Sequence, residues 1–276
     1  MKTNRGHWYD KFVILPKELF QNRYLIWKLA KNDFKKRYAG SYLGAVWAMI
    51  QPVITVLMYY VVFEWIFPNR AQGELQIPFV LFLTAGLVPW FYFSEALNQG
   101  TNALLEYNYL VKQVVFKISI LPIIKIIAAS FIHVFFIGVL LLVAAVYGYY
   151  PSVYTIQLLY YSGCLFVFVL ALCYSTCAIV VFFKDLSQII NIALQIGMWA
   201  TPILWNIEDV NSSWVAVLKW NPLVYIVNGY RSAICEKTWF FQDVWGTLYF
   251  WGVTIVIFGI STIIFKRLKV HFADVL

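Results

Sequence analysis

The chain has 276 residues, 62% of them hydrophobic and 12% charged, with 21 Lys and Arg against 13 Asp and Glu. Ordinary globular domains are about 25% charged, so one or two soluble domains are excluded. The net charge of +8 would suggest nucleic acid in a soluble protein; here it reads as topology, because 17 of the 21 basic residues fall in alternate connections between apolar blocks, and cytoplasmic loops carry that excess.

The first 40 residues form a cytosolic tail, with ten basic residues between Lys2 and Arg37. The apolar run Phe12 to Leu15 is too short for a signal-peptide core, so the first spanning block serves as the insertion signal. Pro16 suits a first helical position. After it Phe20, Tyr24, Trp27, Phe34 and Tyr38 recur at steps of three, four and seven, with Lys17, Arg23, Lys28, Lys31, Lys35, Lys36 and Arg37 between them. This pattern predicts an amphipathic helix in the cytosolic interface. A solvated helix packed on a partner fits it too.

About 20 apolar residues cross the hydrocarbon core as a helix. Six blocks qualify, at roughly 43–67, 78–100, 122–147, 155–183, 187–206 and 244–265, within a membrane domain spanning 41–270. The expected fold is therefore an all-α polytopic membrane protein with six transmembrane helices. An even number of crossings returns the C-terminal tail, 271–276, to the cytosolic side, in agreement with Lys266, Arg267 and Lys269 beside it.

The 101–121 connection mixes apolar and charged residues: Leu104, Leu105, Glu106, Leu110, Val111, Lys112, Val115, Phe116 and Lys117. It reads as a short helix touching a cytosolic partner or as a plain connector. The 206–243 segment lies outside yet holds Trp214, Trp220 and Trp239, broken by Pro222 and Gly229. Such an apolar segment is expected to form two short re-entrant helices dipping into the outer leaflet. Lys219, Arg231 and Lys237 also fall there.

Within the blocks, Glu64, Glu95, His133 and Lys125 are the ionisable residues of interest. Intramembrane ionisable groups are functional candidates, with interhelical hydrogen bonding as the structural alternative. Glu64 reaches headgroup water, and Lys125 is expected to snorkel to the cytosol. Aromatic residues are 20% of the chain. Trp65, Trp205 and Trp245 suit interfacial belts, whereas Tyr59, Tyr60, Trp90, Phe91, Tyr92 and Phe93 are candidates to line a pathway for a carbohydrate chain. Cys164, Cys173, Cys177 and Cys235 show neither a disulfide framework nor zinc spacing. His7, His133 and His271 are too scattered for a catalytic set or a metal site. There is no G-x-x-x-x-G-K-[ST] phosphate loop, so no ATP hydrolysis by that route is expected in this chain.

Several stretches together resemble a known family: Arg37 to Gly44 with Trp47 and Gln51-Pro52; Gly86 to Leu97; Leu110-Val111-Lys112 running to Leu121-Pro122; Phe183 to Leu186; Thr201 to Leu204; Asn221-Pro222-Leu223; and Gly229-Tyr230-Arg231. In order and spacing they resemble the membrane subunit of type-2 ABC exporters for polysaccharides and polyol-phosphate polymers. Tyr150-Pro151-Ser152, Ile156 to Tyr160, Pro202 to Trp205 and Phe272-Ala273-Asp274 are similar to the teichoic-acid translocation permeases of Gram-positive bacteria. O-antigen and capsule permeases share the broader landmarks. The chain departs from the pattern at Phe116-Lys117, where relatives often carry Phe-Pro.

The resemblance implies a non-catalytic permease subunit in a bacterial plasma membrane. It implies a homodimer joined by two separate ABC ATPase subunits, which hold ATP and magnesium; no cofactor or metal is expected in this chain. It implies a polymer on a polyprenyl diphosphate carrier, a coupling helix around 104–118 (Leu105, Glu106, Tyr107, Leu110, Lys112), and a channel lined by blocks one, two and five. Lys28, Lys31, Lys35, Lys36 and Arg37 would collect the carrier's diphosphate. Tyr59, Tyr60, Trp90, Phe91, Tyr92, Phe93 and Glu95 would line the channel. Trp220, Asn221, Pro222, Tyr230 and Arg231 would form an external gate. An ion-coupled transporter would want more intramembrane carboxylates, and a membrane transferase an acidic or His/Asp cluster.

Overall fold

The computed structural model describes residues 21–38, 44, 46–66, 71–72, 77–112, 117–207 and 218–275. Lys17, Arg70, Val115, Phe116 and Trp214 lie outside the described residues. Every long element is helical. Helix α1 spans Arg23–Arg37 and α2 Val46–Tyr60, the latter widening into a π turn over Val61–Ile66. Two antiparallel bridges, Ala71–Gln72 with Ile77–Pro78, precede α3, Phe79–Thr101. The connector is two single turns, α4 (Ala103–Glu106) and α5 (Asn108–Val111). Then follow α6 (Leu121–Val146), α7 (Gln157–Val180), α8 (Leu186–Ala200), α9 (Pro222–Arg231), α10 (Val244–Leu268) and α11 (Phe272–Val275).

Five of these segments are long and apolar enough to cross a membrane: 46–63, 79–101, 118–146, 153–180 and 244–271. The fifth expected block is the exception. Its helix α8 ends at Ala200, because Thr201 precedes Pro202 and takes an extended conformation, φ −94° and ψ 135°. A residue before proline is sterically driven out of the helical region. The remainder, Thr201 to Ile207, is irregular.

Local chemistry starts the other helices where the chain needs them. Pro122 occupies the first turn of α6, where a missing N–H costs nothing. A Ser152/Thr155 capping box opens the turn that leads into α7. Asn221 caps α9 by accepting from the Leu223 N–H at 3.0 Å, and Asp243 caps α10 by accepting from Gly246 N–H at 2.9 Å.

Helix α3 is the centre of the bundle, with 83% of its spanning window buried against 6% for α2. It packs on α6 and α7, and α10 covers the other side of α7. Gly100 lets α3 approach α7 at Cys173, and Gly229 lets α9 approach α7 at Tyr161; a Cβ at either would overlap those side chains. Helices α2 and α8 lie outside this core. Both turn apolar side chains outward, including Ile54, Leu57 and Met58 on α2 and Ile192, Ile196 and Trp199 on α8.

Helix α1 packs along α6. Its inward face is Ile26, Ala30 and Asp33, and the aromatic residues Tyr24 and Trp27 are exposed. Trp27 and Phe34 still touch Phe131 edge-on, with ring centroids 5.3 and 5.5 Å apart. Two short re-entrant helices are expected in the 206–243 segment. The described part holds one helix, α9, continued by a π turn over Ser232–Glu236 that Lys237 ends in the left-handed region, φ 55°. Residues 208–217 lie outside the described residues.

Candidate translocation site

The basic end of the bundle is organised around a buried lysine. Lys125 sits one turn into α6 and is 3% exposed, so an unpaired ammonium there would be costly. Its Nζ donates to Asp33 Oδ1 of α1 at 2.7 Å and to Glu106 Oε2 of α4 at 2.5 Å. Tyr107 donates its hydroxyl to the same Asp33 oxygen at 2.5 Å, and its ring lies 4.9 Å from the ammonium. Burial, together with the Asp33 carboxylate that accepts its proton, pushes the Tyr107 phenol well above its ordinary value. Lys125 therefore does not snorkel outward: two carboxylates from other elements hold it inside. Asp33, absent from the sequence-derived candidates, is the hub. No local pattern marks an Asp on a Lys-rich helix.

The connector is tied to the bundle through two of its side chains. Glu106 and Tyr107 are spent on Lys125 and Asp33. Leu105 and Leu110 are half-buried, while Asn108, Tyr109 and Lys112 are exposed. Of the expected coupling residues, Glu106 and Lys112 are exposed, and Leu105, Tyr107 and Leu110 are half-buried.

From Asp33 the chain of charges continues. Arg37 lies one turn on, 3.8 Å from Asp33 Oδ2, and makes a short ion pair with Glu95 of α3. Lys28, Lys31, Lys35 and Lys36 stay exposed. Arg37 thus separates from the proposed headgroup collectors, because its guanidinium is committed inside the bundle. Beside it, burial holds the Tyr38 phenol above its ordinary value against the lowering pull of Arg37.

Glu95 opens into a cavity of about 430 Å³ between α2, α3 and α6. Trp47, Gln51, Phe91, Tyr92, Glu95 and His133 are among its walls. Of the seven expected channel residues, Phe91, Tyr92 and Glu95 are brought together here. Trp90 and Phe93 are not: they are 5% and 6% exposed, with Trp90 against Gly197 of α8 and Phe93 stacked on Phe168 of α7. Neither is among the walls of this cavity. Tyr59 is half-buried against Phe63, and Tyr60 faces outward.

His133 joins four helices. Its ring stacks on Tyr92 with centroids 4.4 Å apart, and its Nε2 lies 2.9 Å from the Tyr230 hydroxyl of α9 and 3.1 Å from Ser162 Oγ of α7. Tyr230, expected at an external gate, is fully buried and belongs to this network.

At the far end a second cavity, about 800 Å³, lies between α9, the start of α10 and the Asn206–Ile207 stretch. Arg231 forms part of its floor yet is 3% exposed. Its guanidinium lies 3.4 Å from the Phe82 ring centroid and donates to the Ile203 carbonyl at 3.1 Å and the Phe82 carbonyl at 3.4 Å. Gly86 leaves room for it, since a Cβ there would sit 3.2 Å from Nη2. Asn221 donates to Thr201 Oγ1 at 2.9 Å, fastening Pro222 and the start of α9 to the break after α8. Trp220 is exposed and accepts, through its carbonyl, from the Tyr249 hydroxyl at 2.5 Å. Arg231 and Asn221 are therefore struts of the far-end structure.

Sequence comparisons fit this architecture. The profile of the family described as ABC-2 type transporter matches residues 24–235. The chain is similar to the O-antigen export system permease protein RfbA of Klebsiella pneumoniae, at 26% identity over 280 residues covering 100% of this chain and 98% of that protein. It is 28% identical over 264 residues to the protein of the same name from Myxococcus xanthus, covering 95% and 99%. It is 24% identical over 209 residues to the polysialic acid transport protein KpsM of Escherichia coli, covering 74% and 78%.

Proposed function

The chain belongs to the ABC-2 type transporter family, and on that premise we propose that it is the membrane permease of an ATP-driven exporter of a lipid-linked polysaccharide, of the O-antigen or capsule kind. The relatives that match it end to end are O-antigen export permeases, which favours that polymer class over teichoic acid, to which only the short subgroup motifs point. The chain works as a homodimer with two ATPase subunits that hold ATP and magnesium. Its basic end, with both termini, faces the cytosol of a bacterial cell, and Lys28, Lys31, Lys35 and Lys36 meet the carrier's diphosphate there. Each basic group near a membrane adds roughly 1 kcal/mol toward anionic partners.

The observation that carries the mechanism is the Glu106–Lys125–Asp33 cluster with Arg37–Glu95 beside it. It connects the connector, α1, α6 and the wall of the α2/α3/α6 cavity through contiguous polar contacts. A motor docked on Tyr109 and Lys112 would move α4 and α5, and the contiguous ion pairs would carry that movement to Glu95. Coupling is reciprocal, so polymer bound at the cavity biases the motor equally.

The test is reconstitution of this chain with an ABC ATPase subunit from the same organism. Lipid-linked O-polysaccharide should raise ATP hydrolysis severalfold and appear in the opposite leaflet only with ATP. Transport by the purified chain alone under an ion gradient would overturn the reading. Stimulation by lipid-linked teichoic acid but not by O-polysaccharide would move the substrate to the teichoic-acid class.

A further inference from the structure

The polar contacts that hold α9 inside the bundle run in one direction. Ser162 Oγ lies 2.6 Å from the Leu158 carbonyl oxygen and 2.6 Å from the Tyr230 hydroxyl. A carbonyl oxygen can only accept, so the serine hydrogen goes to Leu158. An O–O contact this short needs one hydrogen between its oxygens, so Tyr230 donates to Ser162. Neither hydroxyl then has a hydrogen left for His133, whose Nε2 lies 2.9 Å from the Tyr230 oxygen and 3.1 Å from Ser162 Oγ. His133 Nε2 therefore carries the proton and donates. The order is fixed from α6 through α9 to α7: His133 to Tyr230, Tyr230 to Ser162, Ser162 to Leu158.

These contacts connect the walls of the two cavities. His133 and Tyr92, on which its ring stacks, belong to the cavity between α2, α3 and α6. Gly229 and Arg231, on either side of Tyr230, belong to the far-end cavity. Tyr230 and Ser162 line neither. A displacement of α9 at the far end must therefore pull on His133 or part from it.

Three features favour parting. The imidazole is neutral, since its neighbours are hydroxyls and the Tyr92 ring, and a buried imidazolium without a carboxylate partner would be costly. Hydrogen bonds between neutral groups contribute less than those to ions, so this contact gives way before the Lys125–Asp33 pair at the other end. The closed arrangement also leaves an acceptor unused. A neutral imidazole has one N–H, so Nδ1 is a lone pair; it is buried with neither solvent nor a hydrogen-bond partner, a loss comparable to what one hydrogen bond returns. Finally, α9 has room and a joint. A cavity of about 800 Å³ lies along it. Its C-terminal end passes into the π turn Ser232–Glu236, closed by Lys237 at φ 55°. π turns recur at functional sites, and a non-glycine residue in the left-handed region stores strain that a rearrangement can release.

We propose that His133, Tyr230 and Ser162 form a releasable latch. Closed in this structure, it holds α9 against the cavity wall, and it opens at one step of the export cycle as the far end rearranges. His133 is its positioning residue and acts on the cavity through the Tyr92 ring it covers. The proposal rests on the reading of the chain as a polysaccharide permease and gives that reading a moving part inside the protomer.

The test is nitrogen NMR of the complex with its ABC ATPase in nanodiscs, with ¹⁵N-histidine in this chain only. The chain has three histidines, so His7→Gln and His271→Gln assign the His133 pair. Without nucleotide, the imidazole hydrogen should sit on Nε2. Ser162→Ala takes away the acceptor of Tyr230. The tyrosine hydrogen then turns to Nε2, and the imidazole hydrogen should move to Nδ1; a role in packing alone would leave the tautomer as it was. Trapping the complex with ATP, magnesium and vanadate should shift the resting Nε2–H signal, and the α9 amides should exchange about tenfold faster or more. Tyr230→Phe, which leaves Nε2 only Ser162 Oγ, should raise α9 exchange severalfold before any trapping, and serves where Ser162→Ala disturbs α7.

An Nδ1–H tautomer in the unaltered chain, an unchanged tautomer in Ser162→Ala, or unchanged α9 exchange in Tyr230→Phe would each overturn the latch. So would a trapped complex in which either the His133 signals or the α9 exchange match the resting state. Export is read separately. A latch that stays closed in a complex that exports polysaccharide falls alone, and a complex that exports none removes the permease reading and the latch with it.

Discussion

Lys125 of α6 and Asp33 of α1 form a buried ion pair, 2.7 Å from Nζ to Oδ1, between residues 92 positions apart. It fastens α1 to the spanning bundle. Removing one partner leaves an uncompensated charge inside, at a cost of about 3–5 kcal/mol. Asp33→Asn and Lys125→Met should each lower the melting temperature of the full chain strongly. The double variant should lose much less than the sum of the two, because it leaves neither ion unpaired. Additive losses in a thermal-unfolding series would show that the two groups do not act as a pair.

Tyr107 gives the cluster a pH dependence. Its phenol is raised by burial and by the hydrogen bond to Asp33, so the folded chain holds a proton that the unfolded chain releases above about pH 10. The stabilisation is complete below that value and is lost as pH climbs toward the folded value. The melting temperature should fall more steeply above about pH 10 in the wild-type chain than in Tyr107→Phe. At pH 8, Tyr107→Phe should cost about 1.5–3 kcal/mol, the range for a hydrogen bond to a charged group. Parallel pH profiles for the two proteins would remove Tyr107 from the alkaline transition.

The long helices were legible because a bilayer demands about 20 apolar residues per crossing and the chain supplies such blocks. The break in the fifth block was also written locally, at Thr201-Pro202, where proline excludes its predecessor from the helix. Which face of α1 turns inward was not legible: Tyr24 and Trp27 look like a buried stripe in a soluble protein, but lipid is an equally good home for them. The burial of Trp90 and Phe93 within the chain was not legible either. A helix hydrophobic all round gives no period from which to separate core from pathway. The Asp33–Lys125 pair and the His133–Tyr230 contact join residues 92 and 97 positions apart, and a single sequence records no such pairing.

Gly100 is placed to let α3 and α7 touch. A Cβ there would overlap Cys173 Sγ and come within 3.1 Å of Cys173 Cβ. Gly100→Ala should therefore destabilise by about 1–3 kcal/mol through overpacking. Cys173→Ala removes the overlapping sulfur and should restore most of that loss when combined with Gly100→Ala. A double variant no more stable than Gly100→Ala alone, measured by thermal unfolding, would place the defect elsewhere.

Arg231 is held by shape as much as by charge. Its planar guanidinium covers the Phe82 ring and reaches the Ile203 and Phe82 carbonyls at once. Lysine has neither the plane nor the fork. Arg231→Lys should thus behave as a disruptive change, lowering stability by roughly 2 kcal/mol, about what a desolvated cation–π contact contributes. It should also loosen the junction of α9 with the Thr201–Ile207 stretch. Hydrogen exchange of the Ile203 and α9 amides reports that loosening directly; unchanged protection in Arg231→Lys would contradict it.

Arg37 and Glu95 connect the charge cluster to the cavity wall, and their pairing can be tested by exchange. Glu95→Gln leaves Arg37 with Asp33 alone, at 3.8 Å, and removes the short contact across to α3. Arg37→Gln leaves Glu95 facing the cavity without its counter-ion. Either change should uncouple the partner from the substrate. ATP hydrolysis by the assembled complex should persist, while its stimulation by lipid-linked polysaccharide falls about tenfold, the effect of roughly 1.4 kcal/mol of lost coupling. The swapped pair, Arg37→Glu with Glu95→Arg, restores opposite charges across the same gap. It places a carboxylate beside Asp33, however, so recovery should be partial and greater in Asp33→Asn. If the swap recovers nothing in either background while the complex assembles normally, the two residues act independently, and movement reaches the cavity by another route.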